Sequence, residues 1–170
     1  MPIDPAPSPV AGIALRAIEP RDHEFLRALY RSARDAELAQ TGWNEMAKRA
    51  FTDSQFDLQD RWYRQQYPDA RLWVIEEHGA PIGRLYLSEF PGELRLMEIA
   101  LVSARRGAGL GPALVEWVRG LAAAQARAVT LYVEPLNRAR SLYSRLGFAE
   151  ESSDAFHVRM RWAPAGLTSG

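Results

Sequence analysis

The sequence predicts an α/β (α+β) fold, with a mixed central sheet of about seven strands flanked by about four helices. Segments rich in β-branched and aromatic residues alternate with segments whose apolar residues recur at helical spacing. Three successive strands are separated only by tight turns, which predicts an antiparallel meander. A strand–helix–strand passage follows the meander, and such a passage joins parallel strands, so the sheet is expected to be mixed.

Local signals place the ends of these elements. Pro20 favours a helix start, because its fixed φ and missing N–H cost little at the first helical position. Asn44 and Asn137 suit helix N-termini, and Gly147 suits a left-handed helix end. The predicted elements are a strand at 13–18, helices at 20–40 and 44–67, strands at 72–75, 82–90 and 94–102, a helix at 109–125, a strand at 129–133, a helix at 137–146, and strands at 148–152 and 156–162.

The third strand of the meander alternates between two faces of the sheet. Strict alternation places Leu94, Leu96 and Glu98 on one face, and Met97 and Ile99 on the other. Glu98 is therefore expected to have leucines as its neighbours.

The composition excludes several classes of function. The 21 basic and 21 acidic side chains give a formal net charge of +0, so no nucleic-acid partner is expected. The chain has no cysteine, which excludes disulfides and thiolate ligands, and its three histidines are scattered, so no metal site is expected. No apolar run reaches the ~18–20 residues that cross a bilayer, so no membrane partner is expected.

The organisation is predicted to be one domain over residues 13–163. Residues 1–12 contain four prolines and are therefore interpreted as a disordered Pro/Ala-rich leader. They are not expected to be a signal peptide, because they lack its basic start and apolar core. Residues 164–170 are expected to be a flexible tail. With no targeting signal in the sequence, the expected location is cytoplasmic.

A glycine-rich loop between a strand and a helix has chemistry that suits a diphosphate. Gly107, Gly109 and Gly111 let the backbone approach a ligand closely, and the N–H groups of the following helix favour anions. Arg106 adds a positive charge. Three interpretations stay open for this loop taken alone: a flexible turn, a dinucleotide-binding loop in which Pro112 replaces the third glycine, or an acetyl-CoA loop.

Two motifs together resemble the signatures of the GNAT acetyltransferase superfamily. Arg106, Gly109 and Gly111 match its pattern Gln/Arg-x-x-Gly-x-Gly/Ala. Residues 137–148 match its second pattern, an Asn followed by A-x-x-L-Y-x-x-L-G-F. The motifs stand in the family's order, with one helix and one strand between them, and the resemblance to a bacterial-type small-domain member extends over residues 13–162.

The resemblance implies an N-acetyltransferase that moves an acetyl group from acetyl-CoA to a primary amine by direct attack in a ternary complex. The implied acceptor is a small-molecule amine or an amine of a peptide or protein, and homodimers are common in the family. The alternative is a non-catalytic GNAT fold that binds acyl-CoA as a sensor or interaction module. The implied cofactor-binding residues are Ile99, Ala100, Leu101, Arg106, Gly107, Ala108, Gly109, Leu110, Gly111, Asn137 and Tyr143.

The resemblance also implies how the reaction is performed. The strand at 94–102 splays away from the strand at 129–133, and the pantetheine arm of the cofactor inserts between them. Tyr143 would protonate the departing thiolate as general acid, because a phenol stays protonated at neutral pH. Glu98 is the candidate base, directly or through water, and the competing interpretation is a solvent-facing or salt-bridged carboxylate. Trp43 and Glu98 are the candidates for the acceptor pocket.

Overall fold

The computed structural model describes residues 10–167, which contain seven strands and five α-helices. The strands are β1 (Ile13–Ala17), β2 (Arg71–Glu77), β3 (Ala80–Phe90), β4 (Glu93–Leu101), β5 (Ala128–Val133), β6 (Ala149–Ser153) and β7 (Val158–Trp162). The helices are α1 (His23–Ser32), α2 (Asp35–Leu38), α3 (Glu45–Gln66), α4 (Leu110–Ala124) and α5 (Ala139–Arg145). Residues 1–9 of the expected leader and 168–170 of the expected tail lie outside the described residues.

The seven strands form one sheet in the order β1-β2-β3-β4-β5-β7-β6. β4 and β5 are parallel, and all the other neighbouring strands are antiparallel. The predicted meander and mixed sheet are therefore confirmed. None of the helices in residues 10–167 combines the length and the apolarity needed to cross a membrane.

The first predicted helix is divided in two. α1 ends at Ser32, whose hydroxyl donates to the carbonyl of Leu29 at 2.9 Å, and α2 follows as a separate short helix. A serine hydroxyl that bonds to the backbone in this way competes with the helical pattern. The predicted cap of α3 is confirmed, because Oδ1 of Asn44 accepts a hydrogen bond of 2.8 Å from the N–H of Ala47.

Helices cover both faces of the sheet. On one face, Leu114 and Val118 of α4 are fully buried in a core cluster that includes Leu85 of β3 and Leu94 of β4. On the other face, α1 and α3 pack together, and Phe56 of α3 is almost fully buried. The sheet is therefore the middle layer of three, and each strand contributes alternate side chains to the two faces.

A β-bulge at Met97 changes the predicted alternation of β4. Tyr86 pairs with Glu98, but the next residue of β3, Leu87, pairs with Leu96, so Met97 is an extra residue in β4. Directly paired residues face the same way, whereas the consecutive Tyr86 and Leu87 face opposite ways. Glu98 therefore faces α1 and α3, away from the leucines of β4, and the prediction that it shares a face with them is wrong.

Candidate active site

β4 and β5 are hydrogen-bonded over only part of their length. Their parallel register runs from Glu93 opposite Ala128 to Leu96 opposite Leu131 and includes no later pair. The bulge at Met97 begins where this register ends. Beyond that point the two strands diverge, and the main-chain groups along their facing edges are free of each other.

A cleft of ≈ 1050 Å³ begins at this divergence and extends over helices α1 and α3. It brings together five of the residues that the sequence singled out. They are Glu98, Ile99, Ala100, Asn137 and Tyr143. Leu101, the loop from Arg106 to Gly111, and Trp43 are not part of its lining.

The carboxylate of Glu98 is held by side chains from α3 and β3. The hydroxyl of Tyr63 donates to Oε1 at 2.6 Å, and Nε2 of Gln59 donates to the same oxygen at 3.2 Å. Nη2 of Arg84 lies 3.6 Å from Oε2. Glu98 is thus in a salt bridge with Arg84, and because its side chain is still 25% exposed, it also reaches the cleft.

Arg84 is a buried cation beneath this carboxylate, with a side chain only 4% exposed. Its Nη2 donates to Oε1 of Gln59 at 3.1 Å, and its guanidinium lies over the ring of Tyr86 at 5.0 Å. Burial is the largest single influence on the pKa of Arg84 and lowers it, but the negative charge of Glu98, together with contributions from Tyr86 and Tyr63, raises the pKa overall. Arg84 therefore stays protonated at neutral pH and presents a positive charge to Glu98.

Three members of this cluster were not predicted from the sequence, namely Gln59, Tyr63 and Arg84. Gln59 and Tyr63 are four residues apart on one predicted helix, so helical spacing alone places them on one face. Nothing in the spacing connects that face to Glu98, because the contact depends on the register between β3 and β4. Burial raises the pKa of the Tyr63 phenol, and Glu98 adds to that effect, so its hydroxyl remains a donor.

Tyr143 lies in α5, with its ring buried against Phe148 at a centroid distance of 5.7 Å. Gly147 has a φ of 90° and ends the helix, which turns Phe148 back so that its N–H donates to the carbonyl of Tyr143 at 3.0 Å. Burial, with a contribution from Glu98, raises the pKa of Tyr143 to about 12. Its phenol is thus protonated at neutral pH and lines the same cleft as the carboxylate.

Asn137 precedes α5 at the edge of the cleft. Its Oδ1 accepts a hydrogen bond of 2.9 Å from the N–H of Ala139, the first residue of the helix. The helix therefore begins two residues later than predicted, although Asn137 still satisfies an N–H group at its start. This bond occupies the side-chain oxygen.

The glycine loop precedes α4, which no side chain caps. Gly107 and Gly109 have φ values of 76° and 86°, in the left-handed region that favours glycine. Gly111 has no positive φ, and a methyl group placed on it would meet no atom within 4 Å. The fold alone does not require glycine at position 111, and glycine costs about 1 kcal/mol relative to alanine inside a helix. Close approach of a ligand would account for it.

Arg106 connects this loop to the rest of the molecule. Its Nε donates to the carbonyl of Leu101 at 2.9 Å, and its Nη2 donates to Oγ of Ser32 at 3.1 Å. The side chain therefore holds the loop against the end of β4 and against α1.

Trp43 lies away from the cleft and packs edge-on against Phe51 at a centroid distance of 5.3 Å. Trp62 lines the cleft instead. The sequence pattern marks Trp62 only as an apolar position of the second long helix, which gives no reason to distinguish it from the core. Within residues 10–167, no group of three or more His, Asp or Glu side chains is arranged to hold a metal ion.

Comparison with known proteins supports one family. Residues 68–150 match the family model described as Acetyltransferase (GNAT) domain. The chain resembles the crystal structure of PaiA N-acetyltransferase from Thermoplasma acidophilum in complex with coenzyme A, with 19% identity, a TM-score of 0.66, and coverage of 89% of this chain and 99% of that chain. No curated protein matches the sequence.

Two further solved structures are similar over nearly their whole length. An acetyltransferase from Thermus thermophilus is 17% identical with a TM-score of 0.65, and the match covers 91% of this chain and 99% of that chain. Ard1 from Thermoplasma volcanium is 21% identical with a TM-score of 0.58, and the match covers 90% of this chain and 98% of that chain. The family match over 68–150 therefore identifies a GNAT acetyltransferase domain within this chain, and the chain has the fold of these solved structures.

Proposed function

We propose that the protein transfers an acetyl group from acetyl-CoA to a primary amine, by direct attack in a ternary complex. One observation carries the proposal: the carboxylate of Glu98 and the phenol of Tyr143 line a single cleft at the point where β4 and β5 diverge. Amide formation needs a group that accepts a proton from the amine and a group that gives one to the leaving sulfur. The family match and the coenzyme A bound to the Thermoplasma relative support the choice of acyl donor.

The acyl donor is proposed to lie between the diverging strands. Main-chain groups of Ile99 and Leu101 face the open edge of β4 and would bond its pantetheine arm, and Ala100 lines the cleft between them. The N–H groups of residues 107–111 lie in the loop before α4 and in its uncapped first turn, and they would bind the phosphates of the donor. Asn137 and Tyr143 line the same cleft as Ile99 and Ala100 and would contact the arm near the thioester.

The amine is proposed to be deprotonated by Glu98. An alkyl amine has a pKa near ~10, so it enters as an ammonium and must lose a proton before it can attack. Oε1 of Glu98 accepts hydrogen bonds from Tyr63 and Gln59, whereas Oε2 lies 3.6 Å from Nη2 of Arg84 and is the oxygen proposed to accept this proton, directly or through water.

The new N–C bond then forms as the C–S bond of the thioester breaks. Tyr143 gives its hydroxyl proton to the sulfur, so that the leaving group departs as a thiol. The attacking nitrogen loses a second proton when the amide is complete, and this proton restores the phenol. The proton held by Glu98 passes to solvent, so each turnover releases one proton in total.

The direct test is acetyl transfer to a panel of amines, followed by thiol release and by the mass of the acetylated product. Calorimetry with acetyl-CoA measures donor binding separately. Tyr143→Phe is expected to bind acetyl-CoA as the wild type does and to lose most of its turnover. Binding without transfer to any amine would favour the sensor alternative, and wild-type turnover in Tyr143→Phe would remove Tyr143 from the chemistry.

A further inference from the structure

An aromatic wall extends from Glu98 along α3. Trp62, Tyr63 and Tyr67 all line the cleft, and their rings contact one another. The centroids of Trp62 lie 5.6 Å from Tyr63 and 5.7 Å from Tyr67, and those of Tyr63 and Tyr67 lie 6.3 Å apart. Because the hydroxyl of Tyr63 bonds to Glu98, the wall begins at the carboxylate itself.

A second aromatic surface faces the cleft from β5. Tyr132 lines the cleft, and the guanidinium of Arg95, which also lines it, lies 5.2 Å from the centroid of the Tyr132 ring. The same guanidinium lies 4.5 Å from the centroid of Phe90, and Phe90 contacts Tyr67 at 6.0 Å. The two walls are therefore joined by an unbroken series of ring and cation–π contacts.

Both walls keep much of their aromatic surface exposed. Trp62 is 51% exposed and Tyr132 is 49% exposed. Among the large apolar side chains that are exposed within residues 10–167, these two line the cleft. Trp62 meets Tyr63 at a tilted angle and Tyr67 edge-on, so neither neighbour stacks flat on its ring. Covering such surface is favourable for an apolar ligand and unfavourable for a strongly hydrated one.

From this arrangement we propose that the acceptor is a primary amine joined by a short alkyl chain to an aromatic ring. The inference rests on the proposed acetyl transfer and names the substrate class of that site. The ammonium meets Glu98, and the ring lies between Trp62 and Tyr132. Trp62 and Tyr132 favour an aromatic ring over a saturated ring of the same bulk, because a pair of aromatic rings is stabilised beyond the area that it buries.

The test compares three acceptors in the wild-type protein: phenethylamine, cyclohexylethylamine and n-butylamine. Phenethylamine is expected to exceed n-butylamine in kcat/KM by at least about tenfold, because its ring buries several more carbons. It is expected to exceed cyclohexylethylamine by about twofold to tenfold, the range of an aromatic contact beyond area burial. Equal kcat/KM values for phenethylamine and n-butylamine would overturn the inference.

Variants of the two walls provide the second arm of the test. Trp62→Ala is expected to lower kcat/KM for phenethylamine about tenfold, chiefly through KM, with a much smaller fall for n-butylamine. The matched control is Leu58→Ala, an equally exposed residue one turn earlier on α3 that does not line the cleft. Tyr132→Leu keeps apolar bulk but removes the ring, and should narrow the preference for phenethylamine over cyclohexylethylamine.

The two proposals fail in different ways. If n-butylamine is acetylated as well as phenethylamine, the aromatic acceptor is wrong and the acetyl transfer stands. If Trp62→Ala and Leu58→Ala have the same effect, the aromatic wall does not bind the acceptor. If no amine causes thiol release from acetyl-CoA, the proposed function is wrong, and the inference about its acceptor falls with it.

Discussion

The hydroxyl of Tyr63 donates a hydrogen bond of 2.6 Å to Oε1 of Glu98 across 35 residues of sequence. The bond joins α3 to β4, and it is reinforced by Gln59, one turn earlier on the same helix. Gln59 in turn accepts from the buried Arg84. The orientation of the proposed base is therefore set by a closed group of side chains, and each of them can be removed separately.

Tyr63→Phe removes only the hydroxyl that fixes Glu98. We expect kcat to fall about tenfold, because a hydrogen bond to a charged group contributes about 1.5–3 kcal/mol. Affinity for acetyl-CoA should not change, since Tyr63 contacts Glu98 and the aromatic wall rather than the glycine loop. Steady-state kinetics and calorimetry measure the two effects. Tyr67→Phe, one turn later, is the control, and equal losses in both variants would contradict the positioning role.

Glu98→Gln removes the proposed base without changing its shape. We expect kcat at neutral pH to fall at least about a hundredfold, the lower range for general base catalysis. Thermal stability should also fall, because Arg84 loses the carboxylate that compensates its buried charge. The control is Glu37→Gln, which also lines the cleft but pairs with Arg34 in a largely exposed ion pair. Retained turnover in Glu98→Gln would exclude it as the base.

The raised pKa of Tyr143 makes stability depend on alkaline pH. Its pKa is about 12 in the folded protein, against an ordinary value of 10.0 for an exposed phenol, so the unfolded chain releases this proton first as the pH rises. The contribution is fully present below pH ~10 and is lost as the pH rises from ~10 towards ~12. Chemical denaturation across this window should show a smaller loss of stability in Tyr143→Phe than in the wild type. Parallel curves for the two proteins would contradict the burial of this phenol.

Gly111→Ala tests whether glycine is needed at position 111 for stability or for binding of acetyl-CoA. The open space around Gly111 predicts a folded protein that is as stable as the wild type or more stable by up to about 1 kcal/mol. Acetyl-CoA should nevertheless bind about tenfold more weakly, because the methyl group would meet a phosphate that approaches the backbone. Gly120→Ala is the control, as it lies in the same helix with the same open surroundings. Unchanged affinity in Gly111→Ala would mean that no ligand comes close at this position.

The sequence predicted the fold well where local rules decide the structure. Asn44 caps its helix as its side-chain chemistry requires, and Gly147 ends α5 in the left-handed region. Asn137 and Tyr143, which the second GNAT motif contains, both line the cleft, and their contact with a cofactor stays a prediction.

Predictions from the sequence were weakest where contacts between distant segments determine the position of a side chain. An extra residue at Met97 reverses the face of Glu98, and only the register with β3 reveals it. Helical spacing predicts Trp62 to be an apolar core residue, because the spacing of apolar residues is the same on a helix face that packs in the core and on one that lines a cleft. Trp43, a candidate for the acceptor pocket, packs on Phe51 and does not line the cleft.

The early end of the β4–β5 pairing divides the sheet into two parts, β1–β4 and β5–β7. The two parts are joined by four residue pairs, the last of which is Leu96 with Leu131. An extended ligand bound between β4 and β5 would take the place of strand pairing there and would join the two parts of the sheet. In the free protein the amides of Ile99 and Leu101, on the open edge of β4, should therefore exchange faster than those paired with β3, and donor binding should slow their exchange.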